Sequence, residues 1–94
     1  MYWRVYLLRC SDNSLYCGVT TDIERRLSEH KRGVGSRYTR TRLPVRLVWS
    51  SCELTKSEAF KEEYRIKRLS KVMKEGIIDA RGNKKKPLGE ERQG

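Results

Sequence analysis

Five side chains of this sequence have the types and spacing that hydrolysis of a phosphodiester would need. They comprise two early tyrosines, an arginine and a histidine four positions apart, and a glutamate further along: Tyr6, Tyr16, Arg26, His30 and Glu63. Phenols and an imidazole can orient or deprotonate a water, and a guanidinium can neutralise a phosphate. One carboxylate can hold a divalent cation. The predicted chemistry is attack of water on a phosphodiester with the help of one metal ion.

The two tyrosines fall in a predicted β-hairpin. Residues 2–10 and 15–19 are rich in aromatic and branched side chains, and a short polar turn joins them. In the natural hairpin register, Tyr6 and Tyr16 lie on the same face of adjacent strands. Gly18 then leaves room for the close approach of a backbone or a phosphate. A core role for both tyrosines, each with a polar tip, is the alternative.

The arginine and the histidine belong to a predicted helix. It starts near Asp22, where Thr21 and Glu24 have the spacing of a capping box. Arg26 and His30 are four positions apart, so they project from one helical face, which we expect to aim at the rim of the sheet. A guanidinium there suits a phosphate, because its fork matches two oxygens. A solvated arginine and a purely structural histidine are the alternatives.

A basic segment follows this helix, and we interpret residues 31–44 as a loop because they contain Gly, Ser, Thr and Pro. Its cations and one aromatic side chain are predicted to bind nucleic acid: Lys31, Arg37, Tyr38, Arg40 and Arg42. The cations would contact phosphates, and Tyr38 would stack on an exposed base. A plain loop anchor is the alternative for Tyr38.

The rest of the chain predicts one more strand and two helices. These elements are a strand over 45–52, a helix from Thr55 or Ser57 to about Leu69, and a helix that starts after Ser70 and ends before Gly82. The order β-β-α-β-α-α predicts an α+β fold, a small three-stranded antiparallel sheet flanked by helices. Residues 1–80 form one domain, and residues 81–94 are predicted to be a disordered basic tail.

The first of these two helices carries Glu63. Its apolar residues point, on average, in nearly the same direction as this glutamate: Ala59, Phe60, Tyr64, Ile66 and Leu69. Glu63 is therefore predicted to point into the domain, where a carboxylate needs a cation, a donor or a metal. A single carboxylate at an open site suits Mg²⁺, which keeps most of its waters. A salt bridge to Arg or Lys is the alternative.

The composition favours a polyanionic partner. Lys and Arg number 22 against 12 Asp and Glu, which gives a formal net charge of +10. For a domain of this size, such a surplus favours nucleic acid over a membrane, because no helix has a broad apolar face opposite a basic one. We interpret Cys10, Cys17 and Cys52 as reduced cysteines of a cytoplasmic protein, since they lack metal-ligand spacing.

These residues resemble the GIY-YIG nuclease superfamily, and in particular its small stand-alone bacterial members. Val5-Tyr6 looks like the end of the first signature, and Tyr16-Cys17-Gly18 looks like the second. The likeness covers about residues 2–80. It implies hydrolysis of DNA, with branched or flap structures as candidate substrates, and one Mg²⁺ or Mn²⁺ ion per site.

The resemblance also implies roles for the five residues. Tyr6 or Tyr16 would help to deprotonate or orient the attacking water, and His30 would position the nucleophile or shuttle a proton. Arg26 would neutralise charge on the phosphoryl oxygens, and Glu63 would hold the metal. The choice of general base among Tyr6, Tyr16 and His30 stays open.

The sequence departs from the family pattern at several positions. Arg4 replaces a glycine, Cys17 stands for an aliphatic residue, and Val19 lies where several members carry a lysine. Many members also have an asparagine after the metal-binding glutamate, for which Asn83 is a late candidate that we do not assign. A DNA-binding module without turnover and an adaptor for an acidic protein are therefore the alternatives to a nuclease. DNA is favoured over RNA, target selectivity would come from a protein partner or from a dimer, and the oligomeric state stays open.

Overall fold

The fold is an antiparallel sheet with helices on both faces. A computed structural model describes residues 1–83 of the chain, with the side chains through residue 80. The strands are β1 (Arg4–Arg9), β2 (Leu15–Thr20) and β3 (Arg46–Ser50), in the sheet order β2-β1-β3. The helices are α1 (Ile23–Lys31), α2 (Arg37–Arg40), α3 (Lys56–Lys67) and α4 (Lys71–Asn83). The predicted α+β fold with three antiparallel strands is confirmed.

The central strand β1 is buried on both faces because its side chains are almost all apolar. Val5 and Leu7 contact the core under α3 and α4, whereas Tyr6 and Leu8 contact the core under α1. Each of these four side chains is at most 2% exposed. A strand with two apolar faces needs a covering layer on each, so β1 takes the centre of the sheet. The backbone of Tyr6 is therefore held in the central strand of the sheet.

Hydroxyl and carboxylate caps set where two helices begin. Asp22 alone caps α1 by accepting a hydrogen bond from the backbone N–H of Arg25 at 3.1 Å, so the predicted capping box of Thr21 and Glu24 is wrong. The physical reason is that Asp22 itself takes the extended cap conformation. Thr55 caps α3 in a full capping box with Glu58, which selects Thr55 over Ser57.

Two boundaries differ from the prediction. The segment 31–44 is not all loop, because Ser36 caps the short helix α2 by accepting from the Thr39 N–H. Helix α4 runs through Gly82 to Asn83 instead of ending before Gly82. One glycine inside a helix costs only about 1 kcal/mol relative to alanine, too little to stop it. The remainder of the predicted tail lies outside the described residues.

Helix α4 is tied to the sheet by a paired charge. The Arg9 guanidinium donates two hydrogen bonds to the Glu75 carboxylate, at 2.6 and 2.7 Å, and Lys71 donates a third at 2.7 Å. The hydrogen bonds from Arg9 and Lys71 lower the pKa of Glu75 to about 2. The end of β1 and the first turns of α4 are therefore held together by a bidentate ion pair.

Helix α3 buries a narrow apolar face. Ala59 and Ile66 are fully buried against the sheet, but Phe60 and Tyr64 are 42% and 64% exposed. Phe60 and Tyr64 contributed to the mean apolar direction from which Glu63 was predicted to point inward, and Glu63 itself is only 17% exposed. The sheet covers the face of the helix that carries Ala59 and Ile66. Within residues 1–83, no helix is long and apolar enough to cross a membrane.

Candidate active site

A buried histidine joins β1 to α2 on the α1 side of the sheet. The Tyr6 hydroxyl lies 2.9 Å from Nε2 of His30, and Nδ1 of His30 lies 2.9 Å from the Thr39 hydroxyl. Both His30 and Thr39 are completely buried. The prediction that His30 would face the rim of the sheet is thus wrong, because α2 closes over it. Its ring nitrogens are instead engaged by two hydroxyl groups.

Two glycines make room for this chain of hydrogen bonds. Gly18 lies directly across the sheet from Tyr6, and a Cβ atom there would come within 2.5 Å of the Tyr6 hydroxyl. The room that Gly18 leaves is therefore taken by the Tyr6 ring rather than by a phosphate. Gly35 packs on the imidazole, where a Cβ atom would lie 2.5 Å from Nδ1 of His30. A side chain at either position would displace one of the two rings.

Thr39 and its neighbour Ser36 were not singled out by the sequence reasoning. The Ser36 hydroxyl caps α2 and lies 2.9 Å from the Thr39 hydroxyl, which fixes the latter against His30. The Ser36-to-Thr39 spacing is that of a helix cap. That spacing was a usable signal for a helix turn, but nothing in it identifies His30 as the partner.

The position of the imidazole proton follows from its neighbours. The Arg26 guanidinium lies within hydrogen-bonding reach of the Tyr6 hydroxyl, and a guanidinium has only donors. We therefore assign the Tyr6 oxygen as the acceptor from Arg26 and the Tyr6 proton to Nε2 of His30. Burial, with a smaller contribution from the Arg26 charge, lowers the pKa of His30, which favours the neutral imidazole. In this assignment the proton of the ring lies on Nδ1 and is donated to the Thr39 hydroxyl.

Arg26 is held at the edge of this cluster. Its guanidinium donates to the Glu29 carboxylate and to the backbone carbonyl of Gly35, each at 2.8 Å. About a third of the side chain is exposed, so free N–H groups still face solvent. Burial raises the pKa of Tyr6 to about 12, although the hydrogen bond from Arg26 acts in the opposite direction. Tyr6 therefore keeps its proton at neutral pH.

Tyr16 belongs to the same cluster, as the hairpin register predicted. Its ring centroid lies 6.4 Å from that of Tyr6 and 5.1 Å from that of His30. Its outer side faces Tyr38, whose ring is stacked at 6.0 Å, and the Arg42 guanidinium covers Tyr38 at 3.8 Å. Tyr16, Tyr38 and Arg42 thus form three flat layers that lead from the buried cluster to the surface.

Glu63 lies apart from the other four residues, on the helix that covers the opposite face of the sheet. Its carboxylate is 3.1 Å from the Lys67 ammonium, and its side chain is only 17% exposed against 33% for Glu62. Burial alone lowers the pKa of Lys67, but the hydrogen bond to Glu63 and the nearby Tyr16 and Cys17 raise it overall. Burial raises the pKa of Cys17, Glu63 raises it further, and Lys67 lowers it. Cys17 packs with Ala59 and Ile66 of α3, so the pair lies on the α3 side of β2.

The side chains around Glu63 decide whether a metal ion could bind there. Among the described residues, no three His, Cys, Asp or Glu side chains cluster as a group that could hold a metal ion. Mg²⁺ does not need such a cluster, since one or two carboxylates, waters and substrate phosphate oxygens complete its shell. Glu63 is a hard oxygen donor that already binds a cation, the Lys67 ammonium. It fits a metal held by a single protein ligand.

The basic segment presents its cations to solvent. Lys31, Arg37 and Arg40 are exposed, whereas Arg42 is half-buried and paired with Asp12 at 3.1 Å. Arg37 and Arg40 lie on α2, the helix whose buried residue Thr39 contacts His30. Two of these three exposed cations, Arg37 and Arg40, therefore lie on the helix that closes over His30, and Lys31 is the last residue of α1.

Comparison with known proteins shows to which family the chain belongs. A model described as the GIY-YIG catalytic domain matches residues 2–75 of the chain. The chain belongs to the GIY-YIG family. A UPF0213 protein of Vibrio cholerae is 51% identical over 77 residues, covering 81% of this chain and 76% of that protein. A UPF0213 protein of Halobacterium salinarum is 49% identical over 74 residues, covering 79% and 96% respectively.

Solved structures show the same fold in relatives of this GIY-YIG domain. The solution NMR structure of a UPF0213 protein from Bacillus halodurans is 44% identical, with a TM-score of 0.58, and covers 87% of each chain. The solution NMR structure of a protein from E. faecalis is 39% identical, with a TM-score of 0.59, and covers 85% of each chain. The resemblance seen in the sequence is therefore confirmed at the level of family and fold.

The bond between His30 and Thr39 can be tested by removing one hydroxyl. Thr39→Val keeps the shape but leaves the buried Nδ1–H of His30 without an acceptor, which should lower the free energy of unfolding by about 1–3 kcal/mol. The matched exposed variant Thr41→Val should change it by less than about 0.5 kcal/mol. Urea unfolding of both variants, with wild type, measures the difference. Equal stability of the two variants would contradict the bond.

Proposed function

We propose that this GIY-YIG domain is a divalent-cation-dependent endonuclease that hydrolyses phosphodiester bonds in DNA. The observation that carries the proposal is the meeting of a Tyr6 hydroxyl, a neutral His30 and a partly exposed Arg26 at one point of the sheet. A hydroxyl, a base and a fixed cation at one point are what attack of water on a phosphate needs.

The Tyr6 hydroxyl is suited to activate water through His30. We assign its proton to Nε2 of His30, which leaves a lone pair of the Tyr6 oxygen to accept from an attacking water. As the Tyr6 oxygen takes a proton from the water, its own proton passes to Nε2. This relay avoids a free phenolate, which a pKa of about 12 makes costly at neutral pH. Among the three candidate bases, this geometry favours Tyr6 acting with His30.

Arg26 is suited to bind the phosphate under attack. Its contacts with Glu29 and the Gly35 carbonyl fix the plane of the guanidinium, and its remaining N–H groups can donate to phosphoryl oxygens. A donor fixed before the reaction stabilises the charge that develops on those oxygens without reorganisation. Tyr16, whose ring contacts His30, would orient the same water or phosphate from the side of β2.

Glu63 would hold the metal, Mg²⁺ or Mn²⁺, with one ion per site. The bound cation would supply charge stabilisation at the leaving oxygen. Lys67 now neutralises Glu63, and its release would leave the carboxylate free as a ligand. Because α3 packs on β2, the bound phosphate would reach across the edge of β2 from Arg26 to Glu63.

The surroundings of the site suit a long polyanion. The chain carries a net charge of +10, and exposed arginines of α2 stand beside the cluster. A groove of about 640 Å³ lies on the other side of the sheet, lined by residues such as Trp49 and Ile77, and does not reach Tyr6 or Arg26. The phosphate contacts would come from Lys31, Arg37, Arg40 and Arg42. As part of this proposal, the protein acts in the cytoplasm, and a partner protein is a source of target selectivity.

A DNA-binding module of the same fold is the second candidate function. The observation that favours it is the ion pair between Glu63 and Lys67, which occupies the only proposed metal ligand with a side-chain cation. In that case the Arg26 and α2 cations would bind phosphates with a steep salt dependence and no cleavage would follow. Measurement of cleavage separates the two candidates.

Removal of the metal ligand should abolish cleavage while the fold persists. We measure cleavage of a panel of linear, nicked, flap and four-way junction DNA. The Glu63→Gln and Arg26→Lys variants should each cleave at least about 100-fold more slowly than wild type. The neighbours supply matched controls, since Glu62→Gln and Arg25→Lys change exposed groups on the same helices and should cleave as wild type. Gel assays with Mg²⁺, Mn²⁺ and chelator give the rates. Cleavage that persists in chelator would contradict the proposal.

The relay predicts how cleavage depends on pH. Protonated His30 cannot accept the Tyr6 proton, so kcat/KM should fall as pH drops through the pKa of His30, which burial places below its ordinary value of about 6.5. Tyr6→Phe should lose about 100-fold or more at every pH. The His30→Gln variant should be less active, and its remaining kcat/KM should no longer fall at low pH. A Tyr6→Phe enzyme that cleaves like wild type, beside an inactive Tyr16→Phe enzyme, would move the role of base to Tyr16.

A further inference from the structure

Helix α3 carries an exposed aromatic strip that the proposed mechanism does not use. Phe60 and Tyr64 are 42% and 64% exposed, and they are four residues apart, so they are neighbours on the helix surface. Large aromatic side chains in such positions are costly to leave in water. We call Phe60 and Tyr64, with the cations Lys56 and Arg68 that lie beside them, the α3 ridge.

The rings of the α3 ridge are held in place by their neighbours. The Trp3 ring packs on Phe60 with its centroid 5.4 Å away, and the Lys56 ammonium lies 5.9 Å from the Trp3 centroid. The Arg68 guanidinium lies 5.4 Å over the Tyr64 ring and also donates to its hydroxyl at 3.2 Å. Rings that are already oriented bind a flat partner with little loss of side-chain entropy.

The α3 ridge lies on the same side of α3 as Lys67, the residue that pairs with the proposed metal ligand Glu63. A helix turns by about 100° per residue, so Phe60, Tyr64 and Lys67 fall within about 60° of one another. Ala59 and Ile66 on the inner face of α3 pack in one core cluster with Cys17, so α3 covers β2. The other side of the helix, with Glu58 and Glu62, faces Trp49 and Leu54 instead. The ridge therefore lies on the helix that covers β2, the strand that carries Tyr16.

Charge and shape together select the occupant of this surface. A second copy of the chain would bring two molecules of net charge +10 together, and the cations of each ridge would repel those of the other. Nucleic acid has the opposite charge, and every base has a face that can stack on an aromatic ring. The faces of bases in a duplex are covered by their neighbours, so only unpaired nucleotides can use such rings.

We propose that the α3 ridge binds an unpaired stretch of the nucleic-acid substrate. Bases would stack on Phe60 and Tyr64, and Lys56 and Arg68 would contact the flanking phosphates. The inference rests on the proposed function and narrows it, because the substrate is then DNA with single-stranded nucleotides next to the scissile bond, such as a flap. A fully paired duplex has no unpaired bases that could stack on Phe60 and Tyr64.

Binding in chelator tests the ridge without any cleavage. We measure the anisotropy of a labelled single-stranded oligothymidylate and of a blunt duplex with wild type, Phe60→Ala/Tyr64→Ala, and Val72→Ala, which removes an exposed apolar side chain on α4. The double variant should lose about tenfold per stacked base in affinity for the single strand and little for the duplex. Val72→Ala should bind both like wild type.

Further variants separate stacking from other roles. Tyr64→Phe keeps the ring and should bind the single strand nearly as wild type, whereas Tyr64→Leu keeps only an apolar side chain and should bind like Tyr64→Ala. A base analogue whose fluorescence falls on stacking, placed in the strand, should lose that response in the double variant. Circular dichroism and thermal melting confirm that each variant is folded.

Three outcomes would overturn the ridge assignment. The first is unchanged single-strand affinity of the folded double variant, and the second is equal loss for single strand and duplex. The third is a wild-type dimer that becomes monomeric in Tyr64→Ala, measured by sedimentation, since the ridge would then be a contact between copies. Failure of the nuclease proposal looks different, because no metal-dependent cleavage would occur while ridge-dependent binding persists.

Discussion

The site depends on the burial of one neutral imidazole between two hydroxyl groups. His30 is completely buried, and a charged imidazole there would lose its hydration without a carboxylate partner in contact. Burial therefore favours the neutral ring, and the neighbouring hydroxyl groups of Tyr6 and Thr39 decide which nitrogen carries the proton. The other features follow from this constraint: Gly18 admits the Tyr6 ring, Gly35 admits the imidazole, and α2 supplies the Thr39 hydroxyl.

The sheet places groups of different function on its two faces and at one edge. The face under α1 holds Tyr6, His30 and Arg26, where the proposed proton relay and phosphate contact lie. The opposite face holds an apolar core that fixes α3. Glu63 lies on α3, which packs on the opposite face against Cys17 of the edge strand β2. In the proposed mechanism, a phosphate would have to reach across the β2 edge to contact both Arg26 and a metal held by Glu63.

The sequence predicted the parts of the site that lie on one regular element or on a tight hairpin. Period-two alternation and a short turn were enough to put Tyr6 and Tyr16 on one face, and helical spacing related Arg26 to His30. The contact of His30 with Thr39 could not be read in the same way, because it depends on how α2 folds back over α1. The helical wheel gave the mean apolar direction of α3, but it could not give how much of the helix the sheet covers. The exposure of Phe60 and Tyr64 could not be predicted for that reason.

The most direct test of the account is the protonation state of the single histidine of the chain. Long-range proton–nitrogen correlation NMR of the imidazole at neutral pH reports both ring nitrogens, without interference from another histidine. The account predicts a neutral ring with the proton on Nδ1 and an unprotonated Nε2 that accepts from Tyr6, and a clear shift of the Nε2 signal in Tyr6→Phe. An imidazolium, or a ring protonated at Nε2, would contradict the proposed relay.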